Sequence, residues 1–129
     1  MKHSILLVDD NRGITAPMAE YLERAGYEVV VAHTAMEARS ALRRLRLSLV
    51  ITDLRMENGT DEDGLGLIRY IRESHPGLPV FILSASGSPE AATESIRLQV
   101  QKFLGKPVSM PGLLATVQEF VNEFYGAVR

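Results

Sequence analysis

No cysteine occurs in the 129 residues, so a disulfide framework and a thiolate metal site are both excluded, which fits a reducing compartment. Charge of one sign is also missing: the formal net charge is −2, with acidic and basic groups interspersed. That leaves no basic stripe to follow a nucleic-acid backbone, so direct nucleic-acid binding is not expected. Long apolar runs are absent as well. The opening "MKHSILLVDD" has only four consecutive apolar residues, too few for a signal-peptide core or a membrane span. No membrane association is expected, and a cytoplasmic location is.

What is present is an ordinary globular composition, 46% hydrophobic and 23% charged, in a length that suits one domain, here taken as residues 1–129. Apolar runs at Ile5–Val8, Val29–Ala32, Leu47–Thr52 and Val80–Leu83, with a short one at Lys102–Leu104, alternate with helical periodicities. Ile14, Met18, Tyr21, Leu22 and Ala25 recur at helical spacing until Gly26. Pro17 lies inside that pattern and predicts a late start or a kink, since it lacks the amide hydrogen an interior turn needs. Thr34 and Glu37 have capping-box spacing ahead of Ala38, Ala41, Leu42 and Leu45 on one face. Leu65, Ile68 and Ile71 mark a third helix ended by "HPG". Ser88 and Pro89 read as cap and first turn of a fourth, reaching about Gln99. Leu113, Val117, Phe120, Val121 and Phe124 mark the last.

Alternating strands and helices predict an α/β fold: a doubly wound, five-stranded parallel sheet with helices on both faces, flavodoxin-like, in the order 2-1-3-4-5. Ligands in such sheets bind beyond the carboxyl ends of the strands. There the chain places Asp9 and Asp10 after strand one, Asp53 after strand three, Ser84 after strand four and Lys106 after strand five. Only strand two lacks such a group, and in this order it lies outside the others. Each residue taken alone has a plainer reading: the aspartates as caps or turn formers, Ser84 as a loop hydroxyl, Lys106 as a solvated charge. Their conjunction at four neighbouring strand ends favours a site. Three gathered carboxylates repel by roughly 3 kcal/mol per pair at about 5 Å and an effective dielectric near 20, so a cation must compensate. All-oxygen ligands suit magnesium, and Lys106 and Ser84 suit phosphoryl oxygens. A carboxylate attacking phosphorus would give an aspartyl phosphate.

Over essentially the whole chain, "ILLVDDN" at 5–11, "LVITDLRM" at 49–56, "DGLGLIRYIR" at 63–72, "VFILSAS" at 80–86 and "FLGKP" at 103–107 resemble the receiver domain of bacterial two-component response regulators. The resemblance implies that Asp53 is the phosphoacceptor. It also implies that Asp10, aided by Asp9, holds Mg2+ with Asp53 and the backbone carbonyl of Arg55. Ser84 would be the switch hydroxyl, Phe103 the aromatic that changes rotamer with it, and Lys106 the phosphate partner, followed by a cis bond to Pro107. Arg55 and Ser86 would lie at positions that tune the lifetime of the phosphorylated form. The implied function is a phosphorylation-controlled switch, charged by a sensor histidine kinase or histidine phosphotransfer protein and read by a downstream effector protein through about Pro89–Tyr125. Such a domain promotes its own phosphorylation and dephosphorylation but is not a turnover enzyme.

Two competing readings are an aspartyl-phosphate phosphatase of haloacid-dehalogenase type and a receiver-like scaffold that is never phosphorylated. The first expects a D-x-D pattern after strand one, where this chain has "VDDN"; the second fits poorly with all five key groups present. The chain departs from the receiver pattern in three places. Glu57 stands where a proline is usual. Gly64 comes eleven residues after Asp53 instead of eight, and Gln99 and Val100 replace a small Gly-Ala pair. The lengthened acidic loop, with Glu57, Asp61, Glu62 and Asp63, is expected to be solvated, or else to perturb metal binding and partner choice.

Overall fold

A computed structural model describes residues 2–85 and 87–126. Its elements run β1 (Ser4–Val8), α1 (Arg12–Arg24), β2 (Glu28–Ala32), α2 (Ala35–Arg44), β3 (Leu49–Thr52), α3 (Glu62–Ser74), β4 (Val80–Ser84), α4 (Pro89–Arg97), β5 (Lys102–Gly105) and α5 (Met110–Tyr125). The strands form one parallel sheet in the order β2-β1-β3-β4-β5.

Successive side chains of a strand point to opposite faces, and here both faces are covered. Leu6, Val8, Val50, Val80 and Ile82 pack on one side with Ala38, Leu42, Ile68, Ile71 and Ala91 of α2, α3 and α4. Ile5, Leu7, Ile51, Phe81 and Leu83 pack on the other with Met18, Leu22, Leu113, Val117 and Val121 of α1 and α5. This double burial is why the central strands read as unbroken apolar runs instead of alternating ones.

Among the described residues, four of the five helices begin where the sequence supplies a side-chain cap, α3 being the exception. Side chains of Asn11, Thr34, Ser88 and Ser109 accept from the backbone N–H of Gly13, Glu37, Ala91 and Gly112. Gly26, at φ 105, ends α1 in the left-handed region, with Gly26 N–H donating to Glu23 and Tyr27 N–H to Leu22.

Four expectations are corrected in detail. Of the late start or kink expected at Pro17, the late start does not occur: α1 starts at Arg12 and runs through Pro17. Pro17 and Gly13 are both exposed, so water can take the carbonyl that the missing amide leaves unbonded. Leu45 follows α2 as its C-cap and is exposed, off the buried face. α4 stops at Arg97, and Gln99 turns the chain at φ 58. Phe124 is exposed too, stacked on Phe120. Among the described residues, no helix is long and apolar enough to cross a membrane.

Candidate functional site

Strand register builds the site. Val8 and Thr52 are partners across β1 and β3, so Asp9 and Asp53, one residue further, leave the sheet side by side. The Asp53 N–H donates to the Val8 carbonyl at 2.9 Å. Ser84 is paired with Gly105 across β4 and β5, and the next amide, of Lys106, donates to the Ser84 carbonyl at 2.9 Å. The lysine stem therefore starts level with the strand ends and reaches back over β4.

Lys106 Nζ donates to Asp9 Oδ2 at 2.6 Å and to Asp53 Oδ2 at 3.2 Å. The remaining carboxylate oxygens take backbone donors: Asn11 N–H on Asp9 Oδ1 at 3.0 Å and Leu54 N–H on Asp53 Oδ1 at 2.7 Å. All three side chains are mostly shielded, at 15%, 9% and 12% exposed for Lys106, Asp9 and Asp53. Burial disfavours the Lys106 ammonium, but the hydrogen bonds and negative charge of Asp9, then Asp53, outweigh it and hold its pKa above the usual lysine range. Lys106 thus supplies positive charge to both of these carboxylates.

The other expected residues fall around this centre. Asp10 is exposed beside Asp9. Among the described residues, no three His, Cys, Asp or Glu side chains form a ready-made metal cage. Ser84 is buried at the end of β4. The Lys106–Pro107 bond is cis. Phe103 is 43% exposed on the edge strand, its ring close to Gly87. Ser86 lies outside the described residues.

The acidic loop is the main surprise, because it is not simply solvated. Asp63 Oδ2 accepts from the N–H groups of Met56 at 2.8 Å and Asn58 at 3.1 Å, while its Oδ1 accepts from Asn58 Nδ2 at 2.8 Å. Asp61 pairs with Arg55 Nε at 2.8 Å and accepts from Ser88 N–H at 3.2 Å and Ser88 Oγ at 2.9 Å. Partial burial works to raise both pKa values, yet the bonds from Arg55 and Ser88 to Asp61, and from Met56 and Asn58 to Asp63, bring both below the ordinary aspartate range. Glu62 pairs with Arg69, and Glu57 is left exposed. These roles were missed by sequence reasoning; the one available signal was the Asn-Gly pair at 58–59, a turn former followed by acceptors.

Gly64 closes the loop against the acceptor. Its N–H donates to the Leu54 carbonyl at 2.7 Å, and a Cβ there would sit 2.7 Å from Leu54 Cα and closer still to the Asp53 carbonyl oxygen. Gly64 thus lies directly against the Asp53–Leu54 peptide, with residues 57–63 looping out ahead of it.

Known proteins match the chain in sequence and in fold. Residues 5–118 fit the family model of the response regulator receiver domain. The chain is 36% identical over 119 residues to the transcriptional regulatory protein GlrR of Escherichia coli K12, covering 92% of this chain and 26% of that one. It is 38% identical over 122 residues to the transcriptional regulatory protein GltR of Pseudomonas aeruginosa, covering 92% of this chain and 49% of that one. The chain therefore spans between about a quarter and a half of these relatives. Among solved structures, a CheY-like receiver domain protein from Methanospirillum hungatei superposes with a TM-score of 0.90 at 26% identity, over 97% of this chain and 98% of that one. The family-model match over residues 5–118 and the five-stranded sheet shared with a receiver domain of known structure settle the family: the chain belongs to the response regulator receiver domain family.

Proposed function

We propose that the chain is a phosphorylation-controlled signalling switch in which Asp53 accepts a phosphoryl group from a phosphohistidine of a sensor kinase or phosphotransfer protein. The observation that carries this reading is the Lys106 ammonium held between the Asp9 and Asp53 carboxylates. An Asp53 oxygen attacks phosphorus, the P–N bond to the donor imidazole breaks with its electron pair going to that nitrogen, and the ring leaves as neutral imidazole, keeping the proton already on its other nitrogen. Charge builds on the phosphoryl oxygens as it transfers, and a fixed ammonium beside the acceptor stabilises it without reorganisation. Leu54 N–H, already bonded to Asp53 Oδ1 at 2.7 Å, orients the carboxylate and leaves Oδ2 on the lysine side.

The donor set fits Mg2+: Asp9, Asp10, Asp53 and the Arg55 carbonyl offer only hard oxygens, and Asp10 is free to solvent, where the ion would keep several waters. When bound, Mg2+ would neutralise charge on the transferring phosphoryl group. Ser84, buried at the end of β4, offers a hydroxyl to the new phosphoryl oxygens, and Phe103 on the neighbouring strand is exposed enough to follow it inward. Such movement would bias the face formed by α4, β5 and α5 between two states, which a downstream effector reads. That relatives are named transcriptional regulators favours this output over a phosphatase with generic substrates.

The test is incubation with phosphoramidate and Mg2+, followed by intact-mass measurement. Wild type should gain one phosphate and Asp53→Asn none; a persistent adduct in the variant, or none in either, refutes the reading.

A further inference from the structure

The loop lengthening that separates this chain from the usual receiver pattern carries Asp61, and Asp61 is the hub of a tie no motif announces. One oxygen holds the Arg55 guanidinium and the other accepts twice from Ser88, the N-cap of α4. Ser88 Oγ is also the acceptor for Ala91 N–H in the first turn of that helix. Arg55 sits two residues beyond Asp53, on the loop that leaves the acceptor.

The far end of α4 is fastened differently. Arg72 of α3 donates to the Leu98 carbonyl at 2.8 Å and the Leu78 carbonyl at 2.7 Å, and Arg69 reaches Glu94 at 3.3 Å. The Arg72 contacts do not involve the acceptor loop, whereas Arg69 also holds Glu62 where that loop enters α3. Among the described residues, the direct hydrogen bonds between the loop that leaves Asp53 and α4 fall at the N-terminal end of the helix, and Asp61 makes them.

We propose that Asp61 is a positioning residue for phosphotransfer at Asp53: it restrains the Arg55 guanidinium away from the acceptor and links that restraint to the first turn of α4. The proposal rests on Asp53 being the phosphoacceptor. A phosphoryl group on Asp53 competes with Asp61 for the same guanidinium, because phosphate oxygens suit the planar fork of arginine as well as a carboxylate does. Release of Arg55 removes the anchor on Asp61 Oδ1 that holds the carboxylate against Ser88, so the side chain is free to turn toward water and the charge change at the acceptor reaches α4 through two side chains.

The experiment is a double-mutant cycle of phosphorylation by phosphoramidate with Mg2+, using wild type, Asp61→Asn, Arg55→Met and the double variant. Removing the Asp61 charge should speed adduct formation about threefold, the size expected for freeing a half-exposed ion pair. The gain should shrink with added salt and vanish in the Arg55→Met background. A loop that merely folds less well would change the rate equally in both backgrounds. In unphosphorylated Asp61→Ala, hydrogen exchange should quicken at the Ser88 and Ala91 amides and stay unchanged at the Leu98 amide. Equal rate effects in both backgrounds, no rate effect, or unaltered Ser88 exchange would each overturn the proposal while leaving Asp53 as acceptor. Absence of an adduct in wild type would instead remove the acceptor reading and the proposal together.

Discussion

Replacing Gly64 with alanine puts one methyl group into the tightest packing beside the acceptor. The new Cβ would meet Leu54 Cα at 2.7 Å and the Asp53 carbonyl oxygen nearer still, against an ordinary carbon contact of about 3.5–4.0 Å. Both neighbours are backbone, so no side chain can rotate away. Either the start of α3 or the Asp53–Leu54 peptide must retreat by roughly 1 Å, stretching the Gly64 N–H to Leu54 carbonyl bond of 2.7 Å. Overpacking of this kind costs about 1–3 kcal/mol. Urea unfolding of wild type and Gly64→Ala measures it as a lower midpoint at unchanged slope. The phosphoramidate reaction should slow as well, because the displaced peptide carries the Leu54 N–H that orients Asp53. A variant as stable as wild type, with full acceptor reactivity, would refute the close-approach argument.

Gln99 holds φ 58, a conformation that costs a non-glycine residue about 1 kcal/mol or somewhat more, so Gln99→Gly should raise the urea midpoint by the equivalent of about 0.5 kcal/mol once glycine's own entropy is counted. Lys106 has a folded pKa above its unfolded one, so its contribution to stability is complete below about pH 10.5 and is lost as pH rises through the higher folded value. Tyr27 and Tyr125, raised by burial, shift stability in the same direction; stability measured across the alkaline range should therefore fall less steeply in Lys106→Met than in wild type, and equal slopes would contradict the ion-pair account. Asp61 and Asp63 behave oppositely. Their lowered folded values give stability that is present above about pH 3.8 and lost as pH falls through the folded pKa, so Asp63→Asn should flatten the acid limb of the same profile.

Much of the architecture was legible because burial on both faces leaves a plain mark. Ile5–Val8 and Val80–Leu83 have no room for a polar residue, and the caps Thr34 and Ser88 work through bonds only three residues long. Strand order then places Asp9, Asp53 and Lys106 together without any coordinates. What stayed hidden depends on long-range geometry. That Lys106 itself bridges the two carboxylates follows from the β4–β5 register and the length of its stem. Asp61 bonds to Ser88 across 27 residues, so composition left the loop as either solvated or perturbing metal binding and partner choice, with no sign of its hold on α4. Gln99 carries no sign of its left-handed turn, because the usual mark of that turn is glycine.

The central claim is that the carboxylate of Asp53, and no other, forms the acyl phosphate. Borohydride reduction after phosphoramidate treatment converts a phosphorylated aspartate to homoserine, which peptide mass spectrometry then locates. The account predicts homoserine at position 53, dependent on Mg2+ and reduced in Lys106→Met. Homoserine at Asp9 or Asp10, or no conversion in the wild-type chain, would contradict it.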